Sequence, residues 1–244
     1  MDWIIIVIAG FSAGLLNAIA GGGSFITLPA LTFLGISPIM ANATGTAALL
    51  PGYIASAWRF RGELKTLPAL SFLRLFSLAT IGGAAGAILL LLGNDALFIA
   101  IIPWFIIGAT LLFLFRDRLT KPTIKRIPSP SSVVSSLIFF IVCVYGGYFN
   151  GGIGVILLAT FGLLGLNNLK EMNGLKNIVS AILTIIAVFI YILGGLIEWV
   201  PMLIMGTSSA VGGYIGASIS YKISDKWVII VIVSTGLISF IYFI

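Results

Sequence analysis

Two short glycine motifs, Gly21-Gly22-Gly23-Ser24 and Gly151-Gly152-Ile153-Gly154, carry the strongest chemical signal in this 244-residue chain. Glycine accepts positive φ and leaves backbone amides uncovered, so each motif is a place where a helix can break and restart. A restarting helix presents free N–H groups and the positive end of its dipole, which is chemistry for holding an anion. Polar residues flank both motifs, Asn17, Ser24 and Thr27 at the first and Asn150 at the second. The cradle residues nominated by this pattern are Asn17, Gly22, Gly23, Ser24, Asn150, Gly152 and Gly154.

A second polar cluster follows each motif. Ala41-Asn42-Ala43-Thr44-Gly45-Thr46 in the first half is answered by Met172-Asn173-Gly174-Leu175-Lys176-Asn177 in the second. Asn42, Thr44, Thr46, Asn173, Lys176 and Asn177 therefore join the candidate substrate-binding residues. Asn42 and Asn173 suit helix capping equally well, because an Asn side chain satisfies free N–H groups at a helix start. Lys176 is expected in the first turn of its helix, where the dipole disfavours a cation; it either snorkels to the interface or attracts a bound anion.

Composition restricts the class. The chain is 60% hydrophobic and 8% charged, with a mean hydropathy of +1.21; a soluble domain carries about a quarter charged residues. A single Cys and no His remove a disulfide framework, thiolate metal sites, haem, zinc and Cys-His catalysis, so no cofactor or metal is expected. Asp2, Glu63, Asp95, Asp117, Glu171, Glu198 and Asp225 all fall in or beside expected loops, which argues against a carboxylate proton relay within the membrane. The net charge of +6 is scattered near the ends of apolar segments, a pattern of membrane topology rather than of a nucleic-acid partner.

The elements that must position these residues are apolar segments of spanning length, about 20 residues each. They cover 3–20, 40–57, 69–92 and 96–115, then 133–149, 174–193, 202–221 and 227–243. Stretches 25–35 and 155–166 are too short to cross and follow the glycine motifs directly. The expected fold is an all-α integral membrane protein of about eight transmembrane helices, built as two four-span repeats with broken or re-entrant helices at the glycine motifs. Residues 1–115 form the first membrane repeat, 116–132 a basic cytoplasmic linker and 133–244 the second repeat. The stretch 1–20 lacks a basic leader and carries Asp2, so it reads as a retained span.

The duplication rests on matched residues at nearly constant offset: Gly22 with Gly152, Gly82-Gly83-x-x-Gly86 with Gly212-Gly213-x-x-Gly216, Asn42 with Asn173 and Pro68 with Pro201. For Gly82, Gly83, Gly86 and their counterparts, spaced along one helix face, close helix packing is the favoured reading. Basic loops place the linker and the loop holding Arg59, Arg61 and Lys65 in the cytoplasm, and Gly93-Asn94-Asp95 outside. Four spans per half then put both termini inside and give the halves one orientation, unless one of the short stretches crosses, with Lys222 and Lys226 falling on the outer side. Arg74 is expected to snorkel or pair with Glu63, and Trp3, Trp58, Trp104, Trp199 and Trp227 to anchor at the interfaces.

These residues carry a family resemblance. Gly14-x-x-Asn17-x-x-x-Gly21-Gly22-Gly23-Ser24-x-x-x-x-Pro29-Ala30-Leu31, then Gly35-x-x-Pro38 and Ala41-Asn42-Ala43-Thr44, resembles the first-half signature of the TauE/SafE family of membrane anion exporters. The second half is similar at Gly146-x-x-x-Asn150-Gly151-Gly152-x-Gly154, Asn173-x-x-Lys176-Asn177 and Gly212-Gly213-x-x-Gly216. The resemblance implies a duplicated four-span fold that exports sulfite or an organosulfur anion across the cytoplasmic membrane as a multi-pass cell-membrane protein. Two departures bear on the substrate: Ile153 interrupts the second glycine run, and the first Asn-Ala-Thr cluster lacks a following Lys or Asn. The implied partners are a small anion and the lipid bilayer, with no nucleic acid; a homo-oligomer stays open, since lipid-facing and self-associating surfaces share one composition. An anion channel, an uptake permease for an organosulfonate, and a membrane enzyme or accessory subunit are the competing readings, and the enzyme lacks a His, a metal cluster or a buried acid pair.

Overall fold

The computed structural model describes residues 2–63, 72–114, 132–166, 168–220, 222–223 and 225–244. Ten α-helices occupy the described residues: α1 (Trp3–Ile19), α2 (Ser24–Phe33), α3 (Pro38–Phe60), α4 (Phe72–Leu91), α5 (Asp95–Leu114), α6 (Ser132–Tyr148), α7 (Ile153–Leu163), α8 (Leu169–Leu193), α9 (Trp199–Ile219) and α10 (Asp225–Phe243). A 3-10 turn, Arg61–Glu63, follows α3. Five helices (Phe72–Leu91, Asp95–Leu114, Lys170–Leu193, Trp199–Ile219 and Lys226–Phe243) are long and apolar enough to cross a membrane. The basic linker 116–132 lies outside the described residues except for Ser132, as do Lys65, Pro68 and the Glu63 side chain expected to meet Arg74.

Chain breaks fall at the glycine motifs. α1 ends at Ile19 and α2 begins at Ser24; α6 ends at Tyr148 and α7 begins at Ile153. Positive φ at Gly21 (90°), Asn150 (63°) and Gly152 (71°) turns the chain there, a conformation open to Gly and tolerated by Asn. The matched pair Gly35 and Gly165, at φ 88° and 91°, ends the two short helices in the same way.

Packing pairs the halves crosswise. α1 and α3 pack on α9, while α6 and α8 pack on α4. α5 packs against α10, α2 reaches α10 and α7 reaches α5. Glycine makes the tight crossings: a Cβ on Gly212 or Gly216 would enter the α1 backbone at Phe11 or Leu15, and one on Gly213 would enter α3 at Gly52. On the other side Gly82 and Gly86 meet α6 at Cys143 and Val144, and Gly83 meets Leu183 of α8. Close backbone approach of this kind is what holds helices together where lipid removes the hydrophobic drive for association. These six glycines serve packing, as their spacing indicated.

Residue pairs along the crossings fix helix direction. Gly10 lies by Met205, Gly14 by Ser209 and Gly216 by Leu15 and Ala18, so α1 runs parallel to α9. Thr44 meets Glu198, Gly52 meets Ser209 and Arg59 meets Ser218, so α3 is parallel to α9 as well. By the same test α4 is parallel to α8, with Gly83 by Leu183 and Leu91 by Gly194. The start of α8 lies at the end of α1, where Lys176 reaches Asn17 and Ala18, so α8 runs against α3. α1, α3, α5 and α9 therefore run from the Asp95 end to the Arg59 end, and α4, α6, α8 and α10 run back.

This corrects the orientation expected from the sequence. α1 and α3 are parallel, so the short α2 returns the chain toward the end where it started, and the second half runs opposite to the first. Lys222 and Lys226 join Arg59 and Arg61 at one end, removing the conflict met when the halves were given one orientation, whereas Trp3 and Phe243 lie at the other end. Asp95, at that other end, accepts the Ile39 N–H through Oδ1 at 2.9 Å and so caps α3. Glu171 lies beside the loop that precedes α8 and is buried in the first turn of that helix. Trp104 is exposed halfway along α5, about 14 Å from its start, and so is not an end anchor.

Candidate functional site

The two helix breaks meet. A Cβ placed on Gly154 would lie 2.5 Å from the Gly21 Cα and 3.0 Å from the Ala20 carbonyl, so only hydrogen at both positions allows the contact. The Phe25 ring of α2 packs over Gly152, bringing the starts of α2 and α7 side by side. Among the described residues, the backbone N–H groups of Gly22, Ser24, Gly152 and Gly154 have no acceptor, while those of Phe25, Ile26, Thr27, Val155 and Ile156 turn back to Gly22, Gly23 and Gly152. Gly23 is different, since its N–H donates to Asn17 Oδ1 at 3.3 Å. With the Asn150 and Gly151 N–H groups, likewise without an acceptor, these four amides at two adjoining helix starts form an electropositive corner in the interior.

Lys176 is fully buried and donates its three protons to Asn17 O at 3.3 Å, Ala18 O at 3.1 Å and Asn173 Oδ1 at 3.1 Å. Snorkelling is thereby ruled out. The two carbonyls belong to the C-terminal end of α1, the negative pole of that helix, and Lys176 lies about two turns into α8 rather than in its first turn, so the α8 dipole does not oppose the cation. None of these three acceptors is a carboxylate: the ammonium is held by two backbone carbonyls and one side-chain amide oxygen. The Lys176 stem passes beside Gly154, putting the charge next to the unspent amides. Asn42 makes the matching contact in the other half, donating from Nδ2 to Tyr148 O at 3.0 Å at the end of α6.

Several nominated residues have other duties. Asn42 and Asn173 lie inside α3 and α8 rather than at their caps, and the cap of α8 is Asn168, whose side chain accepts the Lys170 N–H at 3.0 Å. Thr44 faces the Asp95 end and accepts the Glu198 N–H at 3.0 Å. Asn150 accepts from the Tyr53 hydroxyl at 2.8 Å and donates to Thr184 Oγ1 at 3.1 Å, locking the second break onto α3 and α8. Asn177 spends Nδ2 on Asn173 O at 2.9 Å. Asn42 and Asn177 are left with unpartnered Oδ1 atoms, acceptors that do not suit an anion.

Among the described residues, the Asn17 Nδ2 and the hydroxyls of Ser24, Thr27, Thr46 and Ser180 are buried donors without a partner, as are the hydroxyls of Thr80, Ser209 and Ser239. Asn17 and Ser180 both neighbour the Tyr53 hydroxyl, and Thr27 lies against Gly45, next to Thr46. Tyr53, Ser180 and Thr184 were missed in the sequence. Their signal was a hydroxyl on the apolar face of a long helix, too common a pattern to single out. Buried polar atoms normally find partners, so these unsatisfied donors make the interior around the helix breaks unusually polar.

An all-helical protein with interrupted helices and convergent buried donors has the architecture of a multi-pass membrane transporter. The chain belongs to the Sulfite exporter TauE/SafE family, whose model matches residues 6–243. It is 32% identical to "Probable membrane transporter protein" of Haemophilus influenzae (strain Rd), over 87% of this chain and 83% of that protein. Identity is 27% to "Probable membrane transporter protein YfcA" of Escherichia coli K12 over 91% of this chain and 82% of that protein, and 28% to "Probable membrane transporter protein ORF9" of a Sinorhizobium species over 94% and 88%. No solved structure matches the chain.

Proposed function

We propose that the protein is a secondary transporter that carries sulfite or a related small sulfur oxyanion across the cytoplasmic membrane, in the direction of export, from a site where the two halves meet. The observation that carries this reading is the contact of Gly21 with Gly154, which sets two sequence-separated helix starts against each other with four unspent N–H groups. Gly22, Ser24, Gly152 and Gly154 amides, with Asn17 Nδ2 and the Ser24, Thr27, Thr46 and Ser180 hydroxyls, would hold oxygens. Lys176 would supply charge through space, its three protons being engaged on protein acceptors. The family's descriptive name supports the sulfite reading.

Two repeats, 1–115 and 133–244, related by an inverted two-fold, account for the crosswise packing and the opposed helix directions. Such repeats can rock about a fixed central site to give alternating access. The cationic end, with Arg59, Arg61, Arg74, Lys170, Lys222 and Lys226, is assigned to the cytoplasm. A carrier is favoured over a channel because the breaks are in backbone contact, closing the path in this conformation.

The test is counterflow of labelled sulfite in proteoliposomes, with thiosulfate, sulfate, taurine and sulfoacetate as competitors. Saturable counterflow that falls at least tenfold in Lys176→Met while the variant still elutes as folded protein is the expected result. Linear, unsaturable flux refutes the carrier, and wild-type flux in Lys176→Met removes the lysine from the site.

A further inference from the structure

At the cationic end, α3, the 3-10 turn after it and α9 line two adjoining shallow surface hollows, one carrying two arginines and the other apolar. One, about 390 Å³, is lined by Arg59, Arg61, Gly62 and Tyr214. The other is an apolar groove lined by Leu50, Pro51, Ile54, Ala55, Trp58 and Tyr214. Tyr214 lines both, so the arginine hollow and the apolar groove adjoin at this residue. The groove lies on the outside of the bundle, where Ile54, Trp58 and Tyr214 are each at least half exposed.

We propose that this pair of hollows is a binding site for one anionic phospholipid, with the phosphate on Arg59 and Arg61 and an acyl chain along the α3–α9 groove. Three features fit that occupant. The first is length: from Leu50 to Arg59 the helix rises about 14 Å, close to the depth of one leaflet of a core about 30 Å thick. The second is charge. Arg59 gives Nε to Ser218 Oγ at 3.2 Å, and Arg61 gives a terminal nitrogen to Trp58 O at 2.8 Å while lying 4.2 Å over the Trp58 ring. Both guanidinium groups are thus held in place by neutral partners, leaving further N–H groups of each fork for phosphate. The third is placement, because Trp58 and Tyr214 sit between the cations and the groove, the level that amphipathic aromatic rings take beside lipid headgroups.

A small free anion explains only the first hollow. It has no use for an apolar groove that continues inward from the arginines. A lipid uses both, and would lie against the α3–α9 crossing at Gly52 and Gly213, where packing is closest. This site is distinct from the central one and stands whichever anion is carried.

The experiment is native mass spectrometry of delipidated protein titrated with phosphatidylglycerol and with phosphatidylcholine of the same chains, each with and without excess inorganic phosphate. Anionic lipid is expected to bind about tenfold more tightly than the zwitterionic lipid, in keeping with the attraction of two surface cations. Arg59→Gln with Arg61→Gln should bring the two lipids to equal affinity. Ala55→Trp, which fills the groove and spares the arginines, should weaken retention of both lipids and keeps the test open if the double variant misfolds. Equal binding of the two lipids by wild type, preference retained in the double variant, full retention in Ala55→Trp, or displacement of the lipid by inorganic phosphate would each overturn the proposal.

Discussion

Gly21→Ala is the sharpest test of the central contact, because Gly35 provides a matched control. The two glycines hold nearly one backbone conformation, φ 90° and 88°. Alanine in that left-handed region costs about 1–2 kcal/mol at either position. A Cβ on Gly35 meets nothing within 4 Å, whereas on Gly21 it would lie 2.6 Å from the Gly154 N and nearer still to the Gly154 Cα. Backbone cannot swing aside as a side chain can, and overpacking of this kind costs a further 1–3 kcal/mol or about that. Gly21→Ala should therefore lose roughly 2–5 kcal/mol and Gly35→Ala only the backbone share. Melting in detergent, followed by tryptophan fluorescence, and sulfite flux normalised to reconstituted protein give the two readouts. Gly35→Ala should melt slightly early and keep its flux; Gly21→Ala should melt earlier and lose it. Equal melting of the two variants, or full flux in Gly21→Ala, would refute the claim that the breaks are pressed together.

Asn150 combines a positive φ with two side-chain hydrogen bonds. Asn150→Gly should lose only the bonds and Asn150→Ala the bonds plus backbone strain, so the alanine variant should melt lower by about 1 kcal/mol, and the reverse order would show that φ does not matter there. Helix direction predicts that an impermeant maleimide added outside intact cells labels Asp2→Cys but not Gly62→Cys, with buried Cys143 silent in both. Labelling of Gly62→Cys alone would invert the assignment of the cationic end to the cytoplasm.

What the sequence revealed and what it concealed follow from range. Breaks at Gly21–Gly23 and Gly151–Gly152 were legible because glycine clusters act on their own backbone, and the ten helices lie close to the apolar runs that announced them. The packing role of Gly82 and Gly212 was legible for the same reason, through spacing along one face. Partner choice was not. Nothing local tells that Asn42 gives its amide to Tyr148, or that Lys176 is held by the carbonyls at the end of α1, since each contact joins residues from opposite halves. Hydroxyls such as Tyr53 and Ser180 become noteworthy only once the fold places them beside Asn17.

Helix direction shows how one short element decides a topology. A run of ten residues covers about 15 Å, half the hydrocarbon core, so its length does not announce a crossing. Yet α1 stops at Ile19, with the break buried, and the chain then needs only that distance to return to the end it left. Each half consequently starts at one end and finishes at the other, which forces the next half to run in the opposite sense. The charges agree independently: Arg59, Arg61, Lys222 and Lys226 gather at one end, while Asp2, Asp95 and Glu198 mark the other. Halves running in opposite senses bring the start of α7 to the start of α2 only if both breaks lie near mid-depth, because reversing the direction carries each depth to its mirror depth. The contact of Gly21 with Gly154 meets that condition, so the two breaks share the middle of the bundle and their unspent amides face one corner.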